Sequence, residues 1–255
     1  MPTAPSLHPI IFAHRGLCRQ APENTMAAFR MAYESGCRWL ELDVDILADG
    51  TPAVLHDSTL DRTTDRSGSM YKVTAADLAG IDAGAWFGPE YAGERIPTLA
   101  EVVRFLNETG MNCNVELKAN EAGAETSLTL VGNTLRELEN LDSEREIILS
   151  SFSPLLLAEA HRRAPEYTIG VLFDRRNLRL DWRSVLEMCG ASYIHIEDHP
   201  LLTRVMPLAQ SAGFGVNVWT VNSRARANEL FNAGATGVFT DRADELIGLE
   251  ELHRK

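Results

Sequence analysis

The chain has 255 residues, a hydrophobic fraction of 45% and a formal net charge of −12. This is the make-up of a globular protein, with enough length for one large domain or two small ones. The acidic balance argues against a nucleic-acid or anionic-membrane partner, but leaves room for a local cationic site or for carboxylates gathered around a metal.

The opening residues, MPTAPSLHPIIFAHRG, lack a basic stretch followed by a long apolar core, so no signal peptide is expected. No run approaches membrane-spanning length. A soluble, cytoplasmic protein without stable membrane insertion is the expectation. PIIFAH reads as a strand that ends in His14-Arg15-Gly16. NTMAAFRMAYESG then places Met26, Phe29, Ala32 and Tyr33 near one helical face, with Asn24 or Thr25 as cap and Gly36 as stop. CRWLELDVDIL is the next strand. The strands NCNVELK, EIILSSF, TIGVLF, SYIHIE, FGVNVWTV and TGVFTD follow. Most gaps between them carry helical patterns, among them TLAEVVRFLNETG, SLTLVGNTLRELENL and SPLLLAEAHRRA, the last begun by Ser153-Pro154. The four cysteines, Cys18, Cys37, Cys113 and Cys189, form no CxxC pair, so buried free thiols are expected and not a metal cluster or disulfide framework.

Repeated strand-helix units imply a parallel sheet, and eight of them in about 250 residues predict a closed (β/α)8 TIM barrel. A doubly wound open sheet is the competing architecture. It usually carries a glycine-rich phosphate loop after its first strand, where this chain has HRGLCR. TPAVLHD breaks the repeat, because it follows WLELDVDIL too closely for a parallel crossover. Asp49-Gly50 is a hairpin signal, so PAVLHD is read as an extra antiparallel strand returning toward the barrel mouth. The next stretch, rich in Thr, Gly, Asp and Ser, is long for a loop. The expected organisation is one barrel domain over 1–255 with an inserted subdomain at about 58–97.

In such a barrel the C-terminal strand ends form the active site. Here they carry His14 and Arg15, Glu41 and Asp43, His56 and Asp57, and Glu116 and Lys118. Residues two apart point to one side of a strand, so Glu41 and Asp43 share a face, as do Glu116 and Lys118, while Leu40, Leu42 and Val44 face the helices. Three carboxylates in one mouth repel each other when bare. A hard divalent cation with oxygen ligands resolves this, and so does pairing with Arg15 and Lys118. His14 and His56, beside these groups, suit acid-base chemistry on a phosphorus centre.

The ordered motifs AHRG, APENT, ELDV, DGTPAVLHDSTLDRTT and NVELK, continued by VNVWTVN and GVFTD, closely resemble the glycerophosphodiester phosphodiesterase family, in particular its bacterial cytoplasmic members. The resemblance spans most of the chain. It implies a (β/α)8 barrel with an insertion after the HD motif. It also implies hydrolysis of small-molecule glycerophosphodiesters, such as glycerophosphocholine and glycerophosphoethanolamine, to sn-glycerol 3-phosphate and an alcohol. By position, Glu41, Asp43 and Glu116 match the family's ligands for Mg2+ or Ca2+, His14 and His56 its acid-base pair, and Arg15 and Lys118 its phosphate contacts. Trp219 matches a residue flanking the glycerol or alcohol moiety.

Other residues are read more plainly. Phe152 and Phe173 end strands and suit either the pocket or the core. Glu23 and Asn24 are read mainly as helix initiators after Pro22, and His195 and Glu197 as structural. Asp57 is expected to orient a neighbour or cap the insertion, and Arg62 to reach an active-site carboxylate or tie the insertion down. His8, His161, His199 and His253 are read as surface or loop residues. A lysophospholipid-cleaving relative would need an apolar ramp, for which the insertion offers Tyr71, Trp86, Phe87 and Tyr91. A non-catalytic phosphodiester-binding protein would be expected to have lost a histidine or a ligand.

Overall fold

The computed structural model describes residues 9–118 and 123–253. His8 lies outside the described residues. The chain runs β1 (Ile10–His14), α1 (Met26–Glu34), β2 (Trp39–Ile46), β3 (Pro52–Val54), α2 (Leu99–Thr109), β4 (Asn112–Leu117), α3 (Ala124–Leu138), β5 (Ile147–Ser151) and α4 (Pro154–Arg163). It continues through β6 (Thr168–Phe173), α5 (Trp182–Met188), β7 (Tyr193–Glu197), α6 (Leu202–Ser211), β8 (Gly215–Trp219), α7 (Arg224–Asn232) and β9 (Gly237–Thr240), then two short helices, α8 (Ala243–Leu246) and α9 (Leu249–Leu252).

The eight parallel strands close into a (β/α)8 barrel, because β1 pairs with both β2 and β9. The period-two pattern of the strands divides their side chains between two apolar regions. Leu40, Leu42 and Val44 join the layer between barrel and helices, while Ile10, Phe12, Trp39, Ile148, Tyr193 and Phe239 fill the barrel's lower interior. Local signals set the helix ends. The Thr25 hydroxyl accepts from the Ala28 N–H at the start of α1. Thr98 and Glu101 form a reciprocal capping box on α2, which Gly110 ends in the left-handed region.

β3 runs antiparallel to β2, with Val44 opposite Val54. It takes up the edge of β2 where β1 leaves off, since β1 reaches only as far as Glu41. The segment between β3 and α2 gathers its own apolar cluster, including Leu55, Leu60, Met70, Leu78, Ile81 and Ile96. It leaves and rejoins the barrel at one place: the Val54 N–H donates to the Pro97 carbonyl at 2.8 Å, and Ala53 bridges Thr98.

Candidate active site

Each polar residue at the mouth is placed by its strand. Glu41 and Asp43 point inward from β2, in register with Asn114 and Glu116 of β4. All four are buried. His14 is the last residue of β1, and the chain then turns sharply. Arg15 and Gly16 both have positive φ, 56° and 82°. Arg15 is an uncommon non-glycine in that region, and the turn aims its N–H at Glu41 Oε2, 3.0 Å away. Gly16 is required: a Cβ there would lie 2.7 Å from Ala28.

Of the two ways of relieving the carboxylates that the sequence leaves open, pairing with the protein's own cations is visible directly. Lys118 Nζ lies 2.7 Å from Glu116 and 3.2 Å from Asp43, and Arg15 Nε lies 3.2 Å from Asp43. These two cations answer Asp43 and Glu116. Burial works against the Asp43 carboxylate, but Lys118 and Arg15 outweigh it and hold its pKa well below the ordinary range. Glu41 is different: its neighbours are the Arg15 N–H and His14 Nε2, the latter 3.9 Å away. Burial, with Asp43 nearby, pushes its pKa up to about 8. One oxygen from each of Glu41, Asp43 and Glu116 falls within 4.8 Å of the others. The buried Asn114 Oδ1, which has no hydrogen-bond partner among the described residues, belongs to the same cavity lining. An all-oxygen set with one surplus, poorly compensated negative charge fits a hard divalent cation.

Two histidines flank these carboxylates, and each is held at Nδ1 by an aspartate. His14 Nδ1 is 2.7 Å from Asp241 Oδ1, and His56 Nδ1 is 2.6 Å from Asp57 Oδ1. Burial alone would lower the His14 pKa, but the Asp241 hydrogen bond and the Glu41 charge outweigh it and raise the value. Asp57 therefore orients a neighbour. Arg62 does both things expected of it. It donates to Asp57 at 2.7 Å and, through two nitrogens, to Glu23 at 2.7 and 2.8 Å, while Glu23 also accepts from Arg15. The insertion is thereby joined to both His56 and Arg15.

The reading of Glu23 and Asn24 as helix initiators needs correction. Thr25 is the cap. Asn24 sits at φ 57° and donates to Asp43 Oδ2 at 2.8 Å, and Glu23 is the anion shared by two arginines. Asp241, the residue after β9, closes the motif GVFTD, and nothing in the strand pattern marks it as the partner of His14.

The cavity over the carboxylates has a volume of about 180 Å³. His14, Arg15, Glu41, His56 and Glu116 form its polar side, and Phe152, Leu172, Trp219 and Phe239 its apolar side. Trp219 meets Phe152 edge to face at 5.6 Å, and its buried Nε1 has no partner among the described residues. Phe173 turns into the helix-facing core instead. His195 is fully buried one layer down, 3.1 Å from Asn217, and burial lowers its pKa to about 3, so it is a neutral structural residue. Glu197 accepts from the Arg175 N–H. His161, His199 and His253 are half-buried, and His253 pairs with Asn228.

A closed parallel barrel whose mouth gathers an acidic cluster and two aspartate-held histidines is built for acid-base chemistry beside a cation. Residues 14–245 match the model of the glycerophosphoryl diester phosphodiesterase family, and the chain belongs to that family. A glycerophosphodiester phosphodiesterase of Caldanaerobacter subterraneus is 33% identical over 247 residues, covering 94% of this chain and 97% of the relative. One from Bacillus subtilis is 30% identical over 246 residues, covering 91% and 83%. Among solved structures, an Oleispira antarctica phosphodiesterase in complex with the product sn-glycerol-3-phosphate superposes with a TM-score of 0.89 at 32% identity, covering 96% of this chain and 97% of that one. Among the described residues no helix is long and apolar enough to cross a membrane.

Proposed function

We propose that the chain acts as a single barrel domain, with 58–97 as its inserted subdomain, and hydrolyses deacylated phospholipids such as glycerophosphocholine and glycerophosphoethanolamine to sn-glycerol 3-phosphate and the free alcohol. The observation that carries this reading is the meeting of three buried carboxylates within 4.8 Å of one another, two of which, Glu41 and Glu116, line one small cavity with His14, His56 and Arg15, while Lys118 pairs with Asp43 and Glu116. Glu41, Asp43 and Glu116 would hold Mg2+ or Ca2+, which would supply Lewis-acid neutralisation of the developing negative charge. Arg15, in the cavity lining, would face the phosphate oxygens, and Lys118, paired with Asp43 and Glu116, would add positive charge close by, favouring the charge that grows on those oxygens in the transition state.

His14 and His56 move the protons. His14, drawn toward its protonated form by Asp241, suits donation to the leaving alcohol. His56, oriented through Nδ1 by Asp57, takes the proton of the attacking oxygen, either water directly or first the neighbouring glycerol hydroxyl, whose cyclic phosphate water then opens to glycerol 3-phosphate. Trp219 and Phe152 offer an apolar wall to the carbon side of the glycerol or alcohol group. The cavity volume favours a small polar substrate over an acyl chain. The aromatic residues of the insertion are occupied elsewhere: Tyr71 donates to Asp45, Tyr91 to the Gln20 carbonyl, and Trp86, Phe87 and Tyr91 pack edge to face. That weighs against a lipid ramp.

The test is to incubate the purified protein with glycerophosphocholine in EDTA, Mg2+ or Ca2+ and to measure glycerol 3-phosphate. Product is expected only with a divalent cation, and is expected to vanish in His14→Ala and Glu41→Ala. A folded protein that releases none with any cation would point to the lysolipid reaction or to binding alone.

A further inference from the structure

A second set of donor atoms lies behind the same imidazole. The Nε2 edge of His14 faces Glu41, whereas its Nδ1 edge faces Asp241 Oδ1 at 2.7 Å, with Cys18 Sγ 3.4 Å from that oxygen. One donor atom from each of His14, Cys18 and Asp241 falls within 4.8 Å of the others. The pairing of β1 with β9 brings this about, setting the end of one strand and the turn after it beside residue 241.

The chemistry of this set differs from that of the three carboxylates. Nitrogen, sulfur and a single carboxylate suit a borderline-soft ion such as Zn2+ and are poor ligands for Mg2+ or Ca2+. With the usual Zn–S and Zn–O lengths, a tetrahedral site separates sulfur from oxygen by about 3.5 Å, close to the 3.4 Å seen between Cys18 and Asp241. Nitrogen and oxygen would need about 3.3 Å, so the His14–Asp241 contact must open by roughly half an ångström. The other Asp241 oxygen accepts from Asn222 Nδ2 at 2.7 Å, which holds the carboxylate in place. The site is reachable: the side chains of His14 and Asp241 are 20% and 23% exposed, and Cys18 is half-buried while the other three cysteines are buried.

The geometry points to an inhibitory site for a zinc-class cation, formed by His14 Nδ1, Cys18 Sγ and Asp241, whose occupation removes His14 from proton transfer. The binding half stands on geometry alone, whereas the inhibitory half rests on the catalytic reading of His14 given above. Binding releases the Cys18 thiol proton to solvent. Burial raises that thiol's pKa, so only a strongly thiophilic ion displaces the proton. At His14 the cation takes Nδ1 and the ring keeps one proton, on Nε2. A protonated ring gives its Nδ1 proton to solvent, and a neutral ring shifts it to Nε2. In either case the edge facing the substrate can no longer alternate between acid and base.

Two readouts test this on the full-length chain. The first needs no substrate: iodoacetamide labelling of Cys18 at mildly alkaline pH, continued until the zinc-free chain is modified, followed by mass spectrometry, with and without zinc chloride. The second is glycerophosphocholine hydrolysis in saturating Mg2+ with zinc chloride titrated in, for wild type, Cys18→Ser and Cys18→Ala. Zinc is expected to protect Cys18 from labelling and to inhibit the wild type. Both variants should keep the basal rate and lose the inhibition. Unchanged labelling overturns the site. Inhibition of both variants as strong as that of the wild type overturns it too, and would place the ion at Glu41, Asp43 and Glu116. If the chain does not turn over this substrate, the labelling alone decides: protection supports the site and its absence overturns it.

Discussion

Along β2 the inward side chains run Trp39, Glu41, Asp43, and along β1 Phe12 is followed by His14. Two layers of one barrel interior are thus built from the same strands, a pleat apart. In the lower layer Phe12 stacks on Phe239 with ring centroids 4.3 Å apart and meets Trp39 edge to face at 5.4 Å. Close-packed aromatic area of this kind stabilises the fold without help. The upper layer is as buried, but it consists of Glu41, Asp43, Glu116 and Lys118. Its carboxylates are only partly compensated by the protein's own cations, and desolvated charge of that kind costs stability. The barrel therefore supports its site from below, and the site is tolerated.

Separating these two roles by mutation is the sharpest check. Glu41→Gln should have the largest effect on turnover, a loss on the order of 10³-fold or more, about 4 kcal/mol of barrier, measured as kcat/KM on glycerophosphocholine. Its stability should be unchanged or higher, because a buried like charge is gone. The pH dependence follows from the sign of the shift. The folded pKa of Glu41, about 8, lies above its ordinary value of 4.5. Its contribution to the stability of the cation-free protein is therefore full below about pH 4.5 and fades as the pH rises through 8. Thermal melts in EDTA should show that decline between pH 5 and pH 8 in the wild type and a flatter profile in Glu41→Gln. Added Mg2+ should recover the loss in the wild type only.

Phe12→Ala should do the reverse. A cost of about 3–5 kcal/mol is expected in urea unfolding, with activity per folded molecule nearly retained. A large loss of activity at unchanged stability would mean that the lower layer does more than support.

Arg62→Met should have the smallest effect, roughly 10- to 100-fold in kcat with little change in the melting temperature, because Arg62 acts only through Asp57 and Glu23. Arg62→Lys should recover little of this, since one ammonium cannot present the fork that reaches both carboxylates.

Much of this was legible in the chain. Alternation alone put Glu41 with Asp43 and Glu116 with Lys118, because strand periodicity is local. What was missed depends on closure. The His14–Asp241 pair joins residues at opposite ends of the sequence, and it exists because β9 returns to β1. Treating every acidic residue at the end of a barrel strand as a candidate would have found it. Asn24 is hidden for another reason: in PENT it looks like a cap, and only its left-handed backbone turns the amide toward Asp43 instead. Glu23 likewise acquires its second arginine from the insertion, 39 residues away, a distance over which sequence pattern carries no information.

The insertion leaves β3 and rejoins α2 at neighbouring points, stitched by the Val54–Pro97 hydrogen bond and the Ala53–Thr98 bridge. A segment with adjacent anchors can be lengthened, shortened or exchanged at little entropic cost to the rest of the chain, since closure entropy grows only slowly with loop length. For the protein engineer this makes 58–97 a graftable cassette, with His56 and Asp57 left on the barrel side. One requirement travels with it: a donor segment must bring an arginine to the place of Arg62, or the transplant will fold over a mouth whose His56 has lost the outer support of its orienting aspartate.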